Sequence, residues 1–223
     1  MLTLAIDTST SILSVALVQG EEVLASIDEP TKNNQSEILM SRIESMMTEC
    51  HLKPVDLEKI AVAVGPGSYT GIRVGVAATK SLAYALDIPI VGVSSLEVMA
   101  NSVTADEICV PMIDARRGTV FAGAYLDTGE ILIPEGHYLL DDLLLKLDSR
   151  KDKIFFIGDG AVVHKERLLE TFAHTRVVAE SDFTRSKAEV LAELARKVSP
   201  IKNIHALLPN YLRKTEAEMN AGV

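Results

Sequence analysis

Twice in 223 residues a short apolar run ends on an aspartate and passes at once into a polar turn. Leu2 to Ile6 runs into Asp7 and then Thr8-Ser9-Thr10-Ser11, and Ile108 to Ile113 runs into Asp114 and then Ala115-Arg116-Arg117-Gly118. After each turn comes a second apolar run (Ser14 to Val18; Thr119 to Leu126), a Gly-Glu turn (Gly20-Glu21; Gly129-Glu130) and a third run (Val23 to Ile27; Glu130 to Ile133). Short runs joined by turns this tight are strands of an antiparallel meander. Few chains can satisfy that plan twice without building two similar sheets.

The first meander leads into a helical pattern over Gln35 to Cys50, opened by N-cap chemistry at Asn33 to Ser36. A strand at Lys59 to Val64 follows, then a glycine-rich loop, a helix over Ile72 to Leu86, a strand at Ile90 to Val93 and a helix capped by Ser94-Ser95. The second meander leads to a helix over Asp141 to Leu147, a strand at Ile154 to Ile157 closed by Gly158-Asp159-Gly160, and helical patterns at Lys165 to Phe172 and Lys187 to Val198. Residue identity between the halves is slight, so the repeat is one of architecture. The expected fold is α/β: two duplicated βββαβα lobes that resemble the actin-like, sugar-kinase-like (ribonuclease H-like) class. The first lobe is expected at 1–105 and a degraded second lobe at 106–223, with a crossover from Ser94 to Asp106.

Composition removes several functions. Twenty-two Lys and Arg against 31 Asp and Glu leave a net charge of −9, a poor basis for holding RNA, DNA or anionic membrane unaided. With 4% aromatics and no Trp there is little to stack bases on. Cys50 and Cys109 are too few for a disulfide framework and belong to no CxxC pair. No run reaches the length of a membrane span and the N-terminus has no signal-peptide pattern, so a cytoplasmic location is expected.

Two turns carry candidate chemistry. The main-chain amides and hydroxyls of Asp7-Thr8-Ser9-Thr10 could converge on a phosphate, or could equally satisfy their own backbone as an Asx/ST turn. Gly65-Pro-Gly-Ser-Tyr-Thr-Gly71 offers Ser68 and Thr70 hydroxyls at a helix start, but it lacks the lysine of a P-loop. The alternative there is a strand-to-helix turn whose glycines permit tight packing. Nucleotide contact is therefore expected, if anywhere, at Asp7, Thr8, Ser9, Thr10 and Ser68. No catalytic or metal site is visible. The five histidines are scattered, and there is no Gly-x-Ser-x-Gly elbow. Small residues Gly71, Gly75 and Ala78, with Leu82, line one side of the second helix, and Ile38, Leu39, Ile43, Met46 and Met47 form a stripe on the first. Either stripe could be core or partner surface.

Asp7-Thr8-Ser9-Thr10, Gly65 to Arg73, Gly92-Val-Ser-Ser-Leu96, Ile113 to Gly118 and Pro209-Asn-Tyr-Leu-Arg213 together resemble the TsaB (YeaZ) family, in order and over nearly the whole chain. The resemblance implies a noncatalytic subunit of the machinery that forms threonylcarbamoyl-adenosine beside the tRNA anticodon. It implies that this subunit binds and activates TsaD, which holds the metal and transfers the carbamoyl group, with the P-loop ATPase TsaE joining them. On that view the two stripes become the TsaD interface, with Ile38, Ile43 and Met46 exposed. No cofactor is bound tightly, ATP or ADP sits at the partner interface, and tRNA is met through the complex. A homodimer through the same helices is the expectation when the partner is absent. Many relatives carry a histidine where this chain has Asn33-Asn34-Gln35, which weighs further against a metal site. The competing expectation, a small ATP-dependent kinase or metallopeptidase-like hydrolase of the same fold, would need Asp7 or Asp114 to serve as a metal-binding carboxylate.

Overall fold

The computed structural model describes residues 1–31, 34–104, 108–126, 128–148, 153–201 and 203–212. The chain divides into two compact units, Met1–Thr104 with Glu180–Pro209, and Ala105–Ala179 with Asn210–Val223.

The first unit is built on strands β1 (Leu2–Asp7), β2 (Ile12–Gln19), β3 (Glu22–Pro30), β4 (Lys59–Ala63) and β5 (Ile90–Val93), in the order β3-β2-β1-β4-β5. The meander strands pair antiparallel, while β4 and β5 join β1 in parallel. Period-two alternation divides β1 between two faces. Leu2, Leu4 and Ile6 meet helices α1 (Gln35–Glu49) and α2 (Tyr69–Leu86) in one core. Ala5 looks the other way, where Ala16, Ala61 and Ala63 join it beneath helix α7 (Lys187–Leu194). Alanines on both surfaces, with Ala188 and Ala192 on the helix, let α7 lie close to the sheet. Helix α3 (Ser95–Asn101), capped by the Ser94 hydroxyl, packs beside it.

The second unit repeats the topology. Strands β6 (Ile108–Asp114), β7 (Thr119–Tyr125), β8 (Ile131–Leu139), β9 (Ile154–Ile157) and β10 (Thr175–Val178) take the order β8-β7-β6-β9-β10. One face is covered by α4 (Leu140–Asp148), α5 (Asp159–Val163) and α6 (Lys165–Thr171), with Leu143, Leu147, Ala161 and Leu168 fully buried.

Three features depart from the sequence reading. Residues 180–209 belong to the first unit and not to a second lobe at 106–223, because α7 supplies the apolar cover for the alanine-rich sheet face. The segment after β9, read as a turn, opens the short helix α5, and β10 is an added strand. Asn33, Asp106 and Arg213, which figured in the expected cap, crossover and C-terminal motif, lie outside the described residues. No helix among the described residues is long and apolar enough to cross a membrane.

Candidate functional site

At the end of β1 the chain turns back on itself around Asp7, which is 0% exposed. Its Oδ1 accepts from the Ser9 main-chain N–H at 2.8 Å and from the Ser9 hydroxyl at 2.6 Å. The Thr8 hydroxyl donates to the Gly71 carbonyl at 2.7 Å, and the Thr10 hydroxyl to Glu180 at 2.5 Å. The amide of Gln35, at the start of α1, donates to the Thr10 carbonyl at 2.7 Å. The Thr8, Ser9 and Thr10 hydroxyls of this turn thus each have a partner within the protein, and all three residues are buried. This is an Asx turn closed over by its own unit.

The glycine-rich loop is fitted against that turn. The Ser68 N–H donates to the Ser9 carbonyl at 2.7 Å, and the Ser68 hydroxyl caps α2 by accepting from the Gly71 N–H at 3.2 Å. Gly67 has φ +154°, and a Cβ there would overlap the Ser9 main chain. On α2, a Cβ at Gly71 would overlap the Thr8 carbonyl, and one at Gly75 would overlap the Thr8 hydroxyl. The small-residue stripe therefore lets the helix rest on the Asp7 turn and is not open to a partner. Ala78 and Leu82 continue it, half-buried against the same core.

The stripe on α1 is likewise internal. Leu39, Ile43, Met46 and Met47 are between 1% and 4% exposed, and Ile38 packs partly buried against them. The expected exposure of Ile43 and Met46 is corrected: they are buried in the core that α1 shares with β2 and α2. What α1 and α2 present outward is Met40, Tyr69, Arg73 and Tyr84, with the Arg73 guanidinium 3.8 Å over the Tyr69 ring. Of the expected nucleotide contacts only Ser68 is exposed. It lines a cavity of about 340 Å³ with Gln35, Ser36, Thr70, Gly71 and Val74.

The residue that organises the turn was not foreseen from the sequence. Lys187, the first residue of α7, is 2% exposed and places its ammonium 3.4 Å from Asp7 Oδ2 and 2.6 Å from Glu180 Oε1. Burial alone would drive its pKa down, but the two carboxylates more than offset this and hold it above the usual lysine range. Helix α7 is fixed there by a cap borrowed from the sheet: the Ser14 hydroxyl on β2 accepts from the Ala188 N–H at 2.9 Å. Locally, Lys187 looks like the solvated start of a helix. The available signal lay elsewhere, in a carboxylate on a fully buried strand, which requires a cation or hydrogen-bond donors.

The second unit keeps the same turn in a simpler form. Asp114 Oδ1 accepts from the Arg116 N–H at 2.9 Å, matching Asp7 and Ser9, and Arg116 pairs with Asp114 Oδ2 at 3.3 Å. A Cβ on Gly160 would press on the Ile113–Asp114 backbone, as one on Gly71 would on Thr8. Among the described residues no three His, Cys, Asp or Glu side chains gather as a metal-binding group.

Two sheets of one strand order, each with an aspartate at the end of its first strand and a glycine-packed helix against it, define a duplicated α/β protein of the actin-like class. A sequence family described as "TsaD: tRNA N6-adenosine threonylcarbamoyltransferase" matches residues 22–221. The Bacillus subtilis tRNA threonylcarbamoyladenosine biosynthesis protein TsaB is 37% identical over 98% of this chain and 96% of its own. YeaZ from Pseudomonas aeruginosa superposes with a TM-score of 0.76 at 27% identity, covering 95% of this chain and 99% of that one. A crystal structure described as an uncharacterized protein with similarity to peptidase YEAZ from Pseudomonas aeruginosa gives 0.78 at 26%, with the same coverage. The chain belongs to the TsaB family of tRNA threonylcarbamoyladenosine biosynthesis proteins, within the wider grouping that the TsaD description covers.

Proposed function

We propose that this chain is a noncatalytic subunit that binds and activates TsaD while the threonylcarbamoyl group is placed on the adenosine beside the tRNA anticodon, in the cytoplasm. The observation that carries this reading is the closed Asp7 turn. Its carboxylate is paired with Lys187 and its hydroxyls are engaged within the chain, so the strand end that a kinase or hydrolase of this fold would need is committed to structure. Family kinship supports the pathway. The acidic balance supports the division of labour, with a partner carrying the tRNA-binding surface. TsaE joins the two in a larger complex, and any ATP or ADP is held at the partner interface and not in the Asp7 turn. The contact uses the outward faces of α1 and α2, where Met40 and Tyr84 stand 47% and 76% exposed.

The test is to mix the purified chain with its TsaD, follow complex formation by titration calorimetry, and measure threonylcarbamoyl-adenosine in tRNA with and without it. Met40→Glu and Tyr84→Glu should weaken the pair and leave the circular dichroism spectrum unchanged. Normal tRNA modification in a host lacking this gene, or turnover by the isolated chain that is lost in Asp7→Ala, would overturn the reading.

A further inference from the structure

The ammonium of Lys187 stands inside a ring of oxygens drawn from separate stretches of the first unit. Glu180 Oε1 lies at 2.6 Å, the Thr10 hydroxyl at 2.9 Å, and Asp7 Oδ2 and the Ile12 carbonyl each at 3.4 Å. Asp7, Thr10 and Lys187 are buried, and the Glu180 side chain is 7% exposed. Two carboxylates, a hydroxyl and a main-chain carbonyl converging on one point are the donor set of a hard cation. The charges do not cancel, since one ammonium faces two carboxylates. Asp7 Oδ2 is fully buried and has no aligned hydrogen bond, so one of the two carboxylates in the ring is only partly satisfied.

We infer that Lys187 is a tethered counter-ion occupying a latent oxygen-ligand cation site, and that removing its side chain opens that site to a divalent ion of the Mn²⁺ and Mg²⁺ class. In the native chain the cation arrives on α7, so the unit completes the Asp7 turn without drawing an ion from solution. The same bond joins the 180–209 segment to β1. Through Asp7, Ser9 and Ser68 it also reaches the start of α2.

Mn²⁺ is the probe, read by the loss of its free electron paramagnetic resonance signal and by the melting temperature. The native chain should leave the signal unchanged and melt at the same temperature with or without the ion. Lys187→Ala strands two buried carboxylates and should melt roughly 6–20 °C lower. It should then deplete free Mn²⁺ and recover part of that loss as the ion is added, because a ligand that binds only the folded state stabilises it. Adding Asp7→Asn to Lys187→Ala should abolish the response. If Lys187→Ala is recovered only as aggregate, its yield on dilution from urea decides: Mn²⁺ should raise it, and an unchanged yield refutes the assignment. No Mn²⁺ response in folded Lys187→Ala, an equal response in the native chain, or a response that survives Asp7→Asn would each refute it as well.

Discussion

Gly75→Ala separates internal packing from partner packing by the sign of its effect. In an exposed helix interior the change would stabilise by about 0.8–1.0 kcal/mol, since alanine loses less backbone freedom on folding. Here the new methyl would overlap the Thr8 hydroxyl, which must move and loosen its 2.7 Å bond to the Gly71 carbonyl. Overpacking a tight contact typically costs about 1–3 kcal/mol, and a weakened buried hydrogen bond adds about 1 kcal/mol. The net expectation is a destabilisation of about 1–3 kcal/mol, or roughly 3–10 °C in melting temperature for a chain of this size. Removing the obstructing atom reverses the sign. In a Thr8→Ala background the same methyl meets Val62 Cγ2 at 3.5 Å and the residue 8 Cβ at 3.7 Å, which are ordinary contacts. Gly75→Ala should then be neutral or stabilising, with a coupling of about 2–3 kcal/mol between the two positions. Urea midpoints of the four proteins, followed by circular dichroism, give the cycle. Additive effects, or a Gly75→Ala chain that is more stable than the parent yet fails to hold TsaD, would refute the reasoning and return the stripe to the partner surface.

Three further outcomes follow from burial. Ile43→Glu places an unpaired carboxylate in the first unit's core and should cost at least about 3–5 kcal/mol, visible as loss of the cooperative urea transition; a folded variant with only weakened TsaD binding would contradict it. Lys59 is 2% exposed with the Ala195 carbonyl at 3.1 Å, and burial, helped by the like charge of Arg196, lowers its pKa. The unfolded chain therefore binds more protons between the folded and unfolded pKa values, so this residue's contribution to stability rises with pH through that window. Lys59→Met should remove the rise, and parallel curves of urea midpoint against pH for the two proteins would contradict that. Cys109 is held with its thiol pushed up to about 12 by burial, so it should resist iodoacetamide at neutral pH until urea unfolds the chain. Alkylation of Cys109 in the native protein at the rate of a free peptide thiol would show that its surroundings are open.

The architecture was legible because it is written in periods. The short apolar runs, the Gly-Glu turns and the recurrence at Asp114 fix strands and connections that short turns can join in few ways. Strand β10 escaped because four residues, Thr175 to Val178, carry too little pattern to stand out, and α5 escaped because Gly158 and Gly160 read as a turn. The site was harder for a different reason. Asp7 was found, but its partner Lys187 lies 180 positions away and the second carboxylate on that ammonium, Glu180, 173 away, and nothing in either local sequence marks a buried charge. Periodicity identified the stripes on α1 and α2 without deciding what each touches. That is settled only when the Thr8 hydroxyl is seen standing where a Gly75 side chain would be.

The return of α7 to the first unit has a consequence for synthesis. A ribosome delivers β1 to β5 long before residues 187–194, so the nascent lobe waits with one alanine-rich flank wetted and its aspartate without a counter-charge. The first unit gains its second apolar cover and its buried counter-charge only once residues 187–194 have been delivered.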